Sequence, residues 1–154
     1  MTRSDRAGKL VEQPITDGRN DVSDIVITSF GYGHSAAPAG QHLIVDLRNL
    51  LYNPHHDPAM RELTGMDQVV YDHVVATEGA AEMAVGLMGW ALAARRGLRT
   101  ADDELHVAIG CVGGRHRSVA LARLLARFLG THTKIENFQV TVMHRDVRKP
   151  VIQK

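Results

Sequence analysis

The sequence predicts an α/β domain, a mostly parallel sheet flanked by helices, and three observations carry that prediction. Short β-branched runs recur at residues 25–30, 43–47, 105–109 and 138–143. Between them lie stretches with apolar residues at three- and four-residue spacing, which read as helices. Strands joined by helical crossovers lie parallel. The third run is followed by a glycine pair, Gly113-Gly114, in a tight turn ahead of the next helical stretch, as expected where a buried strand hands over to a helix.

The elements follow in chain order. Residues 1–24 mix Arg3, Asp5, Arg6, Lys9, Glu12, Asp17, Arg19, Asp21 and Asp24 with few apolar positions and show neither period, so a mobile or loosely packed leader is expected ahead of a domain over 25–154. The first strand, 25–30, feeds the glycine-rich loop Gly31-Tyr32-Gly33-His34. The second, 43–47, leads to Asn53-Pro54-His55-His56-Asp57-Pro58, where two prolines exclude a continuous helix. Pro58 opens a short helix ending near Gly65, and Asp67 caps another with Val69, Val70 and Val74 on its apolar side. A longer helix over 78–96 carries Met83, Leu87, Trp90, Ala91 and Ala94 toward the core. After the third strand and a tight turn, a helix spans 117–129 with Gly130 as its C-cap, and the fourth strand follows.

With 154 residues the chain makes one ordinary domain, able to bury roughly 70% of its unfolded surface. Its 44% hydrophobic and 23% charged content excludes disordered and fibrous classes. No apolar run approaches the ~20 residues of a bilayer crossing, and the polar N-terminus has no signal-peptide core, so a cytoplasmic protein without a membrane partner is expected. The single cysteine, Cys111, forms no internal disulfide and builds no structural zinc site alone. The net charge of +1 predicts no polyanionic partner, but its distribution is uneven. Arg115, Arg117, Arg123 and Arg127 face no acid between residues 112 and 127, and Arg145, Arg148, Lys149 and Lys154 face only Asp146 near the C-terminus. Such runs are either solvated faces or two halves of an anion site.

Residues 111–118, Cys-Val-Gly-Gly-Arg-His-Arg-Ser, carry the chemistry. They fall at the C-terminal edge of a parallel sheet, where ligands bind. The glycines bring main-chain N–H groups close to a ligand, the helix start adds unpaired donors and positive potential, and Arg117 offers a bidentate contact to phosphate. The candidate ligand set is therefore Cys111, Val112, Gly113, Gly114, Arg115, His116, Arg117 and Ser118. His34, Asp46, Arg48 and His55 join it from neighbouring strand ends. The fit is to a sugar phosphate: backbone donors and Arg117 on the phosphate, Asp46 and His55 on hydroxyls or an amine. The same residues satisfy Cys-x5-Arg-Ser, the loop signature of cysteine-dependent phosphatases, in which a thiolate attacks phosphorus. Gly110 stands where those enzymes carry a histidine, and no general acid is identifiable. His55-His56-Asp57 matches no metal-ligand spacing, so neither metal nor cofactor is expected.

Several segments in matching order resemble a known family: 27–32 (Ile-Thr-Ser-Phe-Gly-Tyr), Asp46-Leu47-Arg48, Asn53-Pro54-His55, Leu63-Thr64-Gly65, 109–119 around the glycine pair, and His144-Arg145-Asp146. Together, over about residues 25–149, they are similar to the C-terminal domain of RapZ, the RNase adapter protein family. The resemblance implies a fold related to a phosphofructokinase subdomain, a regulatory module that senses glucosamine-6-phosphate, and binding of small RNA presented to an RNase. It implies ligand contacts at His55, Val112, Gly113 and Arg117, with Asp46, Cys111 and Arg115 close by, and an RNA surface at Arg145, Arg148 and Lys149. RapZ-like proteins also carry a P-loop domain, and the motif Gly-x4-Gly-Lys-Ser/Thr does not occur here, so a stand-alone C-terminal module is expected. Gly33 stands where many relatives have lysine, Val112 replaces a hydroxyl residue, and the interval from Asp46 to His55 is one residue longer. The partners expected are a phosphorylated small molecule, RNA, a protein, and further copies of this chain. An active cysteine phosphatase is the alternative.

Overall fold

A computed structural model of the chain describes residues 2–4, 8–12, 25–100 and 103–153. Six strands form one sheet: β1 (Thr2–Ser4), β2 (Leu10–Glu12), β3 (Ile25–Gly31), β4 (Leu43–Asp46), β5 (Leu105–Cys111) and β6 (Val140–His144), in the order β1-β2-β6-β3-β5-β4. The four strands predicted from sequence are the parallel ones, with β3 at the centre between β5 and β6 and with β4 beyond β5. Every residue of β3 is buried, which explains its continuous β-branched run.

The antiparallel pair β1–β2 extends the β6 edge, with Leu10 opposite His144 and Val11 opposite Met143. These strands lie in the segment read as a loosely packed leader; Leu10 and Val11 are buried. Each strand is three residues long, too short for a period to show, and pairing rather than local pattern makes it a strand, β2 on β6 and β1 on β2. Residues 1, 5–7 and 13–24, the rest of that leader, lie outside the described residues.

The helices are α1 (Gln68–Val75), α2 (Ala80–Arg96), α3 (Arg117–Gly130) and the single turn α4 (Thr133–Glu136). Alternate residues Ile25, Ile27, Val107, Ile109, Val140 and Val142 present one sheet face to Leu121, Leu125 and Leu129 of α3, and α1 and α2 close the same core. No described helix is long and apolar enough to cross a membrane.

Four local expectations are corrected. Residues 58–65 form successive tight turns rather than a helix, with Met60 and Leu63 each donating to a carbonyl three residues back. On α1, Val70, Tyr71 and Val74 are buried, while Val69 is 56% exposed, about a quarter-turn off that face. On α2, Ala91 is buried and Met83, Leu87 and Ala94 pack partly buried against the core as expected, but Trp90 is 38% exposed, about a quarter-turn off the face set by Ala80, Ala84 and Ala91. Thr131, not Gly130, caps α3, its hydroxyl donating to the Phe128 carbonyl at 2.7 Å.

Candidate functional site

β5 and α3 meet in the turn that the glycine pair predicts. Gly114 holds φ +68°, and a Cβ on it would fall 2.7 Å from the Gly31 nitrogen and 2.9 Å from the Asp146 Cβ. The backbone of the turn thus presses directly against the end of β3, a contact that only glycine permits. Tyr32 N donates to Cys111 O and Gly33 N to Val112 O, each at 2.9 Å, so the loop after β3 is laced to the turn through its carbonyls. Among the described residues, the N–H groups of residues 112–116 make no bond to a backbone carbonyl. His116 begins α3 without a side-chain cap. A row of donors at a helix N-terminus is left for a ligand or water.

These donors border a pocket of about 470 Å³ of empty space, open mouth included. Of the predicted set, His55, Cys111, Val112, Gly113, Arg115, His116 and Arg117 line it, and Asn53, Val151 and Ile152 complete it. Gly113 has no atom within 4 Å of where a Cβ would stand. Asn53 Oδ1 accepts from the His55 amide at 3.1 Å, forming the Asx turn that positions His55 at the mouth.

Arg117 is 4% exposed, and its guanidinium is committed differently from the sequence expectation. Nη1 donates to the carbonyls of Leu47 (2.8 Å), Leu50 (3.0 Å) and Arg48 (3.2 Å), while Nε is buried with no partner. Burial lowers its pKa from the ordinary arginine value, against the pull of Cys111 and Asp46. It is therefore a cation that both staples the loop after β4 and lines the pocket. Arg115 Nη1 donates to Lys149 O at 2.8 Å and Nη2 to Glu62 O at 2.6 Å, so its side chain ties neighbouring segments to the turn. His116 Nε2 donates to Met60 O at 3.1 Å, and burial pushes its pKa down, leaving a neutral ring in the floor. The Cys111 thiol, 3% exposed, donates to Ser118 Oγ at 3.1 Å.

Other predicted residues stand outside the lining. Asp46 accepts from the Arg48 amide at 2.9 Å and from its guanidinium at 2.7 Å, and that bonding holds the exposed carboxyl below its ordinary pKa. The Arg48 guanidinium lies 3.9 Å from the Tyr32 ring centroid. His34 sits on the β3 loop with Nε2 buried and unpartnered, and Gly114 and Ser118 are buried behind the turn.

At the basic end, Arg145 spreads its guanidinium over the carbonyls of Ser35 (3.1 Å) and Ala36 (2.6 Å) and over Asp146 (2.8 Å), 5.2 Å from the Phe30 ring centroid. It is a clip between loops rather than an open phosphate contact. Lys149 Nζ pairs with Asp146 at 2.7 Å and remains half-exposed, and Arg148 is exposed.

Residues 23–148 match the family model of the RapZ C-terminal domain. The chain belongs to this family. A nucleotide-binding protein of Rubrobacter xylanophilus is 40% identical over 133 residues, covering 84% of this chain and 41% of the relative. One from Thermobifida fusca is 38% identical over 122 residues, covering 79% and 40%. One from Listeria monocytogenes is 33% identical over 132 residues, covering 84% and 42%. The chain spans about two fifths of the length of these curated relatives. The RapZ C-terminal domain match encloses the whole turn, the loop after β4 and the β6 end. Asn53 could have been read from the Asn-Pro pair, whereas no local signal brings Val151 and Ile152 to the pocket.

Proposed function

We propose that this RapZ C-terminal domain is a binding module for a phosphorylated metabolite, an amino-sugar phosphate such as glucosamine-6-phosphate, held at the turn between β5 and α3. The amides over residues 112–116, which make no backbone bond among the described residues and stand at an uncapped helix start beside the pocket, carry this reading. The buried charge of Arg117 adds positive potential, and Asn53 and His55 offer polar partners for a hydroxyl or amine. The relatives' name, nucleotide-binding protein, is compatible with a phosphate-bearing ligand, and nucleotides belong in the same screen. In a thermal-shift screen a ligand at a hundred times its Kd adds about 2.7 kcal/mol, roughly 5–10 °C for a domain of this size. No shift with any sugar phosphate or nucleotide at millimolar concentration would contradict the reading.

An RNA-adapter role is the regulatory output we propose alongside it, supported by the exposure of Arg148 and Lys149 at one end of the molecule. Binding to a short RNA should fall steeply with salt and weaken in Lys149→Ala, and undetectable binding at low salt would remove the role. The alternative reading, a cysteine phosphatase, is favoured by Cys111 lining the pocket beside Ser118. It requires turnover of an aryl phosphate that Cys111→Ser abolishes.

A further inference from the structure

The pocket has a wall that the turn does not supply. Beyond β6 the chain returns across the C-terminal edge of the sheet, and Val151 and Ile152 line the same space as Gly113 and Arg117. Both are half-buried. Ile152 lies so close to the β3 loop that a Cβ on Gly33 would sit 2.2 Å from its Cδ1. The tail is held at its root: Lys149 N bonds Asp146 O at 3.0 Å, and Arg115 grips Lys149 O. From residue 150 to 153 the described backbone makes no hydrogen bond to other backbone, so apolar contact seats it. The gripping residue, Arg115, belongs to the same turn as the unpaired amides.

We propose that residues 151–153 form a strap that is part of the ligand site and covers the non-phosphate portion of the ligand. This rests on the reading of the turn as a phosphoryl site. The lining of this space extends beyond the residues of the turn, to Asn53, His55, Val151 and Ile152. Its lining divides by chemistry: Asn53 and His55 supply polar groups, while Val112, Val151 and Ile152 supply hydrocarbon. The occupant that uses both is a phosphorylated sugar or polyol, with C–H faces to cover and hydroxyls to bond. Inorganic phosphate, held by amides alone, has nothing for the strap to touch.

The test titrates the full chain, a chain ending at Pro150 and Ile152→Ser with glucosamine-6-phosphate and with orthophosphate, by calorimetry. The strap predicts that both variants lose sugar-phosphate affinity by about five- to tenfold while orthophosphate affinity stays within about twofold. Ile152→Ser alters a half-exposed side chain and keeps the test valid where truncation impairs folding. Unchanged sugar-phosphate affinity in Ile152→Ser, or equal losses for both ligands, would overturn the strap and leave the turn as the phosphoryl site. Failure of the full chain to bind either ligand would overturn both.

Discussion

Arg117 and Leu47 are joined by a 2.8 Å hydrogen bond from Nη1 to the main-chain oxygen, across seventy residues of sequence. This bond makes one buried guanidinium answer to two structures, the loop after β4 and the pocket at the head of α3. Arg117→Ala is therefore expected to remove the ligand-induced thermal shift and also to cost about 2–4 kcal/mol, since it strips the donor from the buried Leu47 carbonyl and from the part-buried ones of Arg48 and Leu50. Urea unfolding without ligand measures the second effect. A variant as stable as the parent would show that the staple holds nothing.

The two glycines of the turn should behave oppositely. A methyl on Gly114 meets the Gly31 nitrogen and the Asp146 Cβ and sits on a left-handed backbone, so Gly114→Ala should lose more than about 2 kcal/mol. A methyl on Gly113 meets open pocket space, so Gly113→Ala should unfold within about 1 kcal/mol of the parent while binding the phosphosugar more weakly. Paired denaturant curves decide it.

Asp146 links the β3 end to the basic tail. Burial alone would raise its pKa, but the bonds from Arg145, Lys149 and the Gly31 amide win and hold it below the ordinary 3.8. A carboxyl depressed in the folded state contributes stability fully above its unfolded pKa of about 4, and that contribution vanishes as pH falls through the folded value. Asp146→Asn should lower stability at pH 7 by about 2–4 kcal/mol and flatten its decline below about pH 4. Thermal melts from pH 7 to pH 2 read both, and parallel curves for the two proteins would refute the assignment.

Ser29 and His144 meet inside the sheet, Oγ to Nδ1 at 2.6 Å, and His144 Nε2 reaches Glu12 at 3.0 Å. Both Ser29 and His144 are fully buried, so the chain of bonds fastens the β2 edge to the centre of the sheet. Ser29→Ala leaves a buried ring nitrogen unpaired and should cost about 1–3 kcal/mol, with hydrogen exchange accelerated in β2 before the rest of the sheet.

The parallel half of the fold is legible because it is locally consistent: β3, β4, β5 and β6 are β-branched runs, and α3 carries an apolar stripe ending in a glycine. The β1–β2 pair is not, because those short segments become strands only by pairing, β2 with β6 and β1 with β2. The turn is legible because Gly113-Gly114 stands where strand becomes helix. The duties of its arginines are not, because the acceptors of Arg117 and Arg115 come from loops that only the tertiary fold brings near. Arg145 shows the same limit: its charge reads as an open surface, whereas the fold delivers the carbonyls of Ser35 and Ala36 to it.

In the proposed site the amides that border the pocket, those of Val112, Gly113 and Arg115 among them, donate to a phosphoryl group. An NMR titration of the labelled chain with glucosamine-6-phosphate addresses them one by one. Large, saturable downfield shifts are expected at Val112, Gly113 and Arg115, with the amides of α2 left in place. Saturation with those three resonances unmoved would contradict the proposed site.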